Sequence, residues 1–183
     1  MYSRLMQIAL CTVVVTSLSL PTIGQNASGL QLGPEYKKWL NEDVRWIITR
    51  KEFREFRQLV GNDQRDQFVT QFWERRNPHP DTNANSFKQE HYRRLAFSNE
   101  HFAARIAGDH TDRGRIYIIF GPPDSIKGSA TPGNSPQENW FYQHIEGVGD
   151  NISLEFVDEC FCGAYELTNE PPEMNSREPW SAR

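Results

Sequence analysis

Thr111, Asp112, Arg113, Arg115 and Asp124 are the polar residues whose types and spacing come closest to chemistry in this chain. Two guanidinium groups two residues apart, with carboxylates before and after them, suit an anionic or peptide-like ligand. Arginine donates two parallel hydrogen bonds to such a group. The same residues have a structural use. Thr111 and Asp112 can accept backbone N–H bonds and set a turn, and Gly114 suits an unusual dihedral or a close backbone approach. Residue types alone leave both uses open. A second candidate is the Cys160-x-Cys162 pair. With no other cysteine pair, a four-cysteine zinc site within one chain is impossible. Two half-buried thiols, a local bridge that shapes a turn, and a redox pair are all compatible with this spacing; a ring closed across one residue tends to exchange readily.

Other chemistries find no support. Gly121-Pro122-Pro123-Asp124 lacks the Gly-Lys-Ser/Thr ending of a phosphate loop and reads as a rigid turn. No Gly-x-Ser-x-Gly elbow occurs. Acidic residues are plentiful, but nothing picks out a pair for glycoside hydrolysis. His79, His91, His101, His110 and His144 show no His-x3-His spacing, and on a helix His91 and His101 would stand roughly 80° apart. No metal and no cofactor is expected, and no convincing catalytic set is present. The pairs Arg75–Arg76 and Arg93–Arg94, near Glu74 and Glu90, read as solvated helix faces or interhelical ion pairs. Net charge is −4 over 183 residues, which argues against a nucleic-acid binder needing a strongly basic face.

The N-terminus reads as a secretory leader over residues 1–24. Arg4 gives the positive start, an apolar run follows from Leu5 to Leu20, and Thr22-Ile23-Gly24 supplies small residues for cleavage before Gln25. The run is short for a membrane span, which needs about 20 residues, so no stable span is expected in the mature chain. Export places the protein in the periplasm or outside the cell, where disulfides persist.

The elements that must position these residues follow in order. Residues 25–33 read as a flexible linker. Pro34 opens a helix carrying Tyr36, Trp39, Leu40, Val44 and Ile47 at spacings of three and four. Thr49-Arg50-Lys51-Glu52 is a capping box for a second helix with Phe53, Phe56, Leu59 and Val60, ended by Gly61. Asn62 or Asp63 caps a third, with Phe68, Val69, Phe72 and Trp73 on one face, stopped by Asn77-Pro78-His79-Pro80. Ser86-Phe87-Lys88-Gln89 starts a fourth that runs to about Ile106, with Gly108 as its end. Arg115 to Phe120 is a β-branched and aromatic run and predicts a buried strand. Residues 125–137 predict a long loop, followed by strands at Glu138–Ile145, at 152–157 and near Tyr165 and Leu167, with a hairpin turn at 147–151. A Pro-rich tail, 171–183, predicts disorder. The expectation is an α+β domain over 34–170, with about four N-terminal helices packed on a small, mainly antiparallel β-sheet.

Trp39-Leu40-Asn41-Glu42-Asp43-Val44, Phe72-Trp73-Glu74-Arg75-Arg76-Asn77-Pro78 and Glu90-His91-Tyr92-Arg93-Arg94-Leu95-Ala96 carry a resemblance to the GWxTD-domain family of exported bacterial proteins. It continues through Thr111-Asp112-Arg113-Gly114-Arg115-Ile116-Tyr117 and Gly121-Pro122-Pro123-Asp124, covering about Glu35 to Glu173. In the naming motif, Gly108-Asp109-His110-Thr111-Asp112, Asp109 stands where the family has Trp. The resemblance implies a fold and an exported location, and supplies no activity.

The functional expectation is a non-enzymatic module with protein or peptide partners and no nucleic acid. The alternatives are a hydrolase with a groove at the helix–sheet junction, using Asp112, Arg113, Arg115 and Asp124, and a thiol/disulfide module built on Cys160 and Cys162.

Overall fold

The structure is a computed structural model that describes residues 31–129 and 131–171. The expected leader, the linker as far as residue 30, and the tail from residue 172 lie outside the described residues. The order of elements is α1 (Pro34–Lys38), a π-turn (Trp39–Asp43), α2 (Arg50–Gln58), α3 (Asn62–Glu74) and α4 (Ser86–His101). A 3-10 turn (Gly108–His110) leads into α5 (Asp112–Phe120), and then come β1 (Ser125–Ser129), β2 (Gln137–Ile145), β3 (Gly149–Val157) and β4 (Glu166–Leu167). The four strands form one antiparallel sheet in the order β1-β2-β3-β4. The class is α+β, as expected.

The helix starts are set by local chemistry. Thr49 accepts from the Glu52 N–H, and the Glu52 carboxylate accepts from the Thr49 N–H, so the capping box at α2 forms in full. At α4 the cap is Asn85 rather than Ser86. Its side chain accepts from the Lys88 N–H at 2.9 Å and donates to the Trp73 carbonyl at 2.6 Å, tying α4 to the end of α3. Gly61, not Asn62 or Asp63, caps α3, and α4 ends at His101, short of Gly108.

Two expectations about whole elements are overturned as well. Arg115 to Phe120 is helical: the predicted buried strand is the C-terminal two-thirds of α5. The β-branched run is apolar all round because the helix is central, with neighbours on several sides, and such a helix carries no amphipathic period. Its ends explain why it is a helix. Thr111 Oγ1 accepts from the Gly114 N–H at 3.0 Å, Asp112 sits in the positive first turn, and Gly121 closes it with φ 87°. Arg94 lies at the far end, its Nη1 donating to the carbonyls of Ile118 and Ile119 at 3.3 and 3.4 Å. The second correction concerns 125–137. Its first five residues are strand β1, which a glycine and the lack of an apolar alternation concealed.

The core has two large clusters and a small third one. Tyr36, Trp39, Leu40, Val44, Ile48, Phe56, Phe72 and Trp73 fill the N-terminal helical layer. Phe102, Ile116, Tyr117, Trp140, Tyr142, Ile145, Leu154 and Phe156 join α5 to the sheet. Trp46, Leu95 and Ile118 form a third, smaller cluster, with the partly buried Ile119 packed against it. The expected seam between helices and sheet is therefore a buried helix that both layers share.

Candidate functional site at the start of α5

Three backbones meet where α5 begins. A side-chain carbon on Gly108 would stand 1.9 Å from the Ser98 carbonyl oxygen of α4, and one on Gly114 would stand 1.8 Å from the Gly108 carbonyl oxygen. Thr111 is buried; its hydroxyl donates to Gly108 O at 2.7 Å while accepting from Gly114. Gly-x-x-Thr-x-x-Gly is thus a packing device, in which the glycines admit close contact and the threonine closes the turn.

Asp109 takes part in this joint. It is buried, its N–H donates to Asn99 Oδ1 at 2.9 Å, and its carbonyl accepts from Trp46 Nε1 at 2.6 Å. Its carboxylate lies 2.9 Å from Nδ1 of His110. An indole therefore does reach this corner, but it is the ring of Trp46, from the segment ahead of α2.

The charged candidates are used internally. Asp112 Oδ2 accepts from the Leu167 N–H at 2.9 Å, anchoring the edge strand β4 to the helix start. Arg113 is 9% exposed. Its Nη1 bonds Glu138 Oε1 at 2.9 Å, its Nη2 donates to Gly163 O at 3.1 Å, and its guanidinium lies 4.0 Å from the centre of the Tyr165 ring. Arg115 makes a forked contact with Glu170, at 2.6 and 3.3 Å, and lies 3.5 Å from Asp112 Oδ1. Thr111, Asp112, Arg113 and Arg115 are brought together. Asp124 is not: it stands beyond the other end of α5, roughly 13 Å of helix away, where its Oδ2 accepts from the Gln143 N–H at 2.6 Å. The Gly121-Pro122-Pro123-Asp124 turn is held in the same way, with Tyr142 Oη donating to Gly121 O at 3.0 Å.

The basic pairs have partners as well. Arg93 and Arg94 both bond Glu90. Arg75 and Arg76 bond Glu52, the capping-box carboxylate, and not their neighbour Glu74. Burial raises the Glu52 carboxyl, but the hydrogen bonds from Arg76, the Thr49 N–H and Arg75 outweigh it and hold the group down at about 2.

Cys160 and Cys162 are joined by a disulfide. Asp158, buried beneath them, accepts from the Cys162 N–H at 3.1 Å and the Gly163 N–H at 2.8 Å. Asp158 and the two sulfurs offer three ligand atoms within 4.8 Å of one another. While the bridge stands, neither sulfur has the thiolate charge that a metal ligand needs.

Glu138, Glu170, Gly163, Tyr165, Asn99 and Trp46 complete this region, and sequence reasoning missed all six. Their only signal was complementary charge or polarity, at separations such as 25 residues for Arg113–Glu138 and 55 for Arg115–Glu170.

The assembly defines a class: an α+β domain whose motif residues knit a central helix to a four-stranded antiparallel sheet. Among the described residues, no helix is long and apolar enough to cross a membrane. The model of the GWxTD domain matches residues 33–177, and the chain belongs to that family. Comparison with curated proteins and with solved structures found no match.

Proposed function

We propose that this protein is an exported, non-enzymatic module that binds an extended peptide segment of a partner protein. The open edge of the sheet carries the reading. Among the described residues β1 bonds β2 on one side only, and Ser125 to Ser129 are exposed along their whole length. An edge of this kind offers unpaired backbone N–H and C=O groups to another strand. Its side chains give the edge a character. Ile126 pairs with Trp140 and so shares its face of the sheet, yet it is 54% exposed where Trp140 is fully buried. Lys127 points to the opposite face, where it lines an open depression with Ser125, Asn139, Phe141 and Ser153. The segment that fits is extended, places an apolar residue against Ile126, and carries an acidic residue toward Lys127.

The engagement of Asp112, Arg113 and Arg115 by β4, Glu138 and Glu170 supports a binding role over hydrolysis, since it leaves those residues framing the fold. Export rests on the leader sequence at 1–24.

Panning a random peptide library against the full chain, followed by amide hydrogen exchange of the complex, tests the reading. The expected result is selection of extended, acidic-apolar peptides that protect residues 125–129. Ile126→Asp should then weaken binding about tenfold or more. Selected peptides that protect another surface, or whose binding survives Ile126→Asp, would count against it.

A further inference from the structure

We propose that Cys160 and Cys162 form a thiol–disulfide exchange site for dithiol and disulfide partners, in which the exposed Cys160 sulfur is the one attacked. This is independent of peptide binding at β1.

Three observations carry it. First, the bridge spans a sequence separation of 2. A disulfide stabilises a fold chiefly by closing a long loop in the unfolded chain, and this one closes almost none. A structural staple is therefore a poor account of it. Second, the loop is held without the bridge. Asp158, 3% exposed, binds the N–H groups of Cys162 and Gly163, its own N–H donates to Pro136 O at 2.9 Å, and Arg113 holds Gly163 O. The Phe161 N–H donates to Asp158 O at 3.3 Å, with Phe161 at φ 52° and Gly163 at φ 82°. The two sulfurs therefore stay adjacent when the bond between them is broken, and an exchange site needs both states to be held. Third, access is unequal. Cys160 is exposed and Cys162 is half-buried. Phe161 between them is 62% exposed, an apolar contact for a partner beside the reactive bond.

The chemistry balances with a dithiol as reductant. A thiolate of the partner attacks Cys160 Sγ, the Cys160–Cys162 bond breaks, and a mixed disulfide forms on Cys160. Cys162 leaves as a thiolate and takes a proton from solvent. The partner's second thiol, once deprotonated, attacks its own sulfur in the mixed disulfide and releases the Cys160 thiolate, which is protonated in turn. Two electrons and two protons pass to this chain, and the partner leaves as a disulfide. Asp158 Oδ1, 3.2 Å from Cys160 Sγ, accepts the hydrogen bond of the new thiol. The reverse sequence oxidises the pair and reduces a disulfide partner.

The test uses the full chain carrying Cys11→Ser, glutathione redox buffers, acid quenching, alkylation and peptide mass mapping. The expected result is a single two-electron transition of Cys160 and Cys162 within the range those buffers span. With oxidised glutathione, Cys162→Ser should form the mixed disulfide on Cys160 at least tenfold faster than Cys160→Ser forms it on Cys162. A bridge that stays closed across the whole range, or equal trapping rates, would overturn the proposal. The Cys160→Ser/Cys162→Ser double variant should unfold within about 4 °C of the parent, which is roughly the effect of 1 kcal/mol in a chain of this size. A fall of more than about 10 °C would make the bridge a staple and overturn the proposal as well.

Discussion

Gly114 and Gly108 touch backbone to backbone, and a side-chain carbon on Gly114 would lie 1.8 Å from the Gly108 carbonyl oxygen. In an ordinary helix Gly→Ala stabilises by about 1 kcal/mol. Here the sign should reverse, because the obstacle is backbone and cannot rotate away. Gly114→Ala should cost about 3 kcal/mol or more and lower the thermal midpoint by about 10 °C. Gly128→Ala in β1 is the control, since its nearest atom would be an ordinary contact at 3.8 Å. It should be neutral or stabilise by about 0.5 kcal/mol. Equal effects from the two substitutions would refute the close-packing account.

Arg113 and Glu138 should behave as a coupled pair. Arg113→Ala removes the ion pair, the bond to Gly163 and the stacking on Tyr165, and should cost about 2–3 kcal/mol. A double-mutant cycle with Glu138→Gln should show a coupling of about 1 kcal/mol or more. Additive losses in urea titrations would mean that the pair does not hold the junction.

Acid should act through Glu52. Its folded pKa is about 2, below its ordinary 4.5. A depressed carboxylate contributes fully above the unfolded value, and the contribution is lost as pH falls from 4.5 toward 2. The size is at most about 3 kcal/mol. Urea unfolding at pH 7 and pH 2.5 should show the parent losing more stability than Glu52→Gln over this window. Parallel losses would show that the Arg75–Arg76–Glu52 cluster contributes nothing.

Tyr142→Phe should cost about 1–2 kcal/mol, because it leaves the Gly121 carbonyl without its donor where the turn closes α5. The loss should appear as a lower urea midpoint with an unchanged slope. A neutral result would mean that water replaces the hydroxyl.

Much of the helical layer was legible because its signals are local. The Thr49–Glu52 capping box is four residues long, and the aromatic face of α3 repeats within two turns. β2 and β3 were legible from alternation around Trp140, Tyr142, Leu154 and Phe156. Local signals fail where burial is on every side. Ile116 to Phe120 suits a strand by composition, and only the capping by Thr111, the closure at Gly121 and the presence of Arg94 at its last carbonyls make it a helix. Asn85 and Ser86 are both good caps, and the bond from Asn85 to Trp73 of α3 selects the first.

The sequence by itself determined the α+β class, the family, and the residues that crowd the start of α5. It did not determine what those residues do. That was decided by tertiary structure, because an arginine's role depends on what faces it. Glu138 and Glu170 come from segments far along the chain, and they arrive only once the sheet has folded against α5. Buried charge must be paired to persist, and here the pairing turns a set of candidate ligand-binding groups into the joint of the fold. The open edge at β1 came from the same source: nothing in Ser125–Ser129 marks it as a strand until β2 lies beside it.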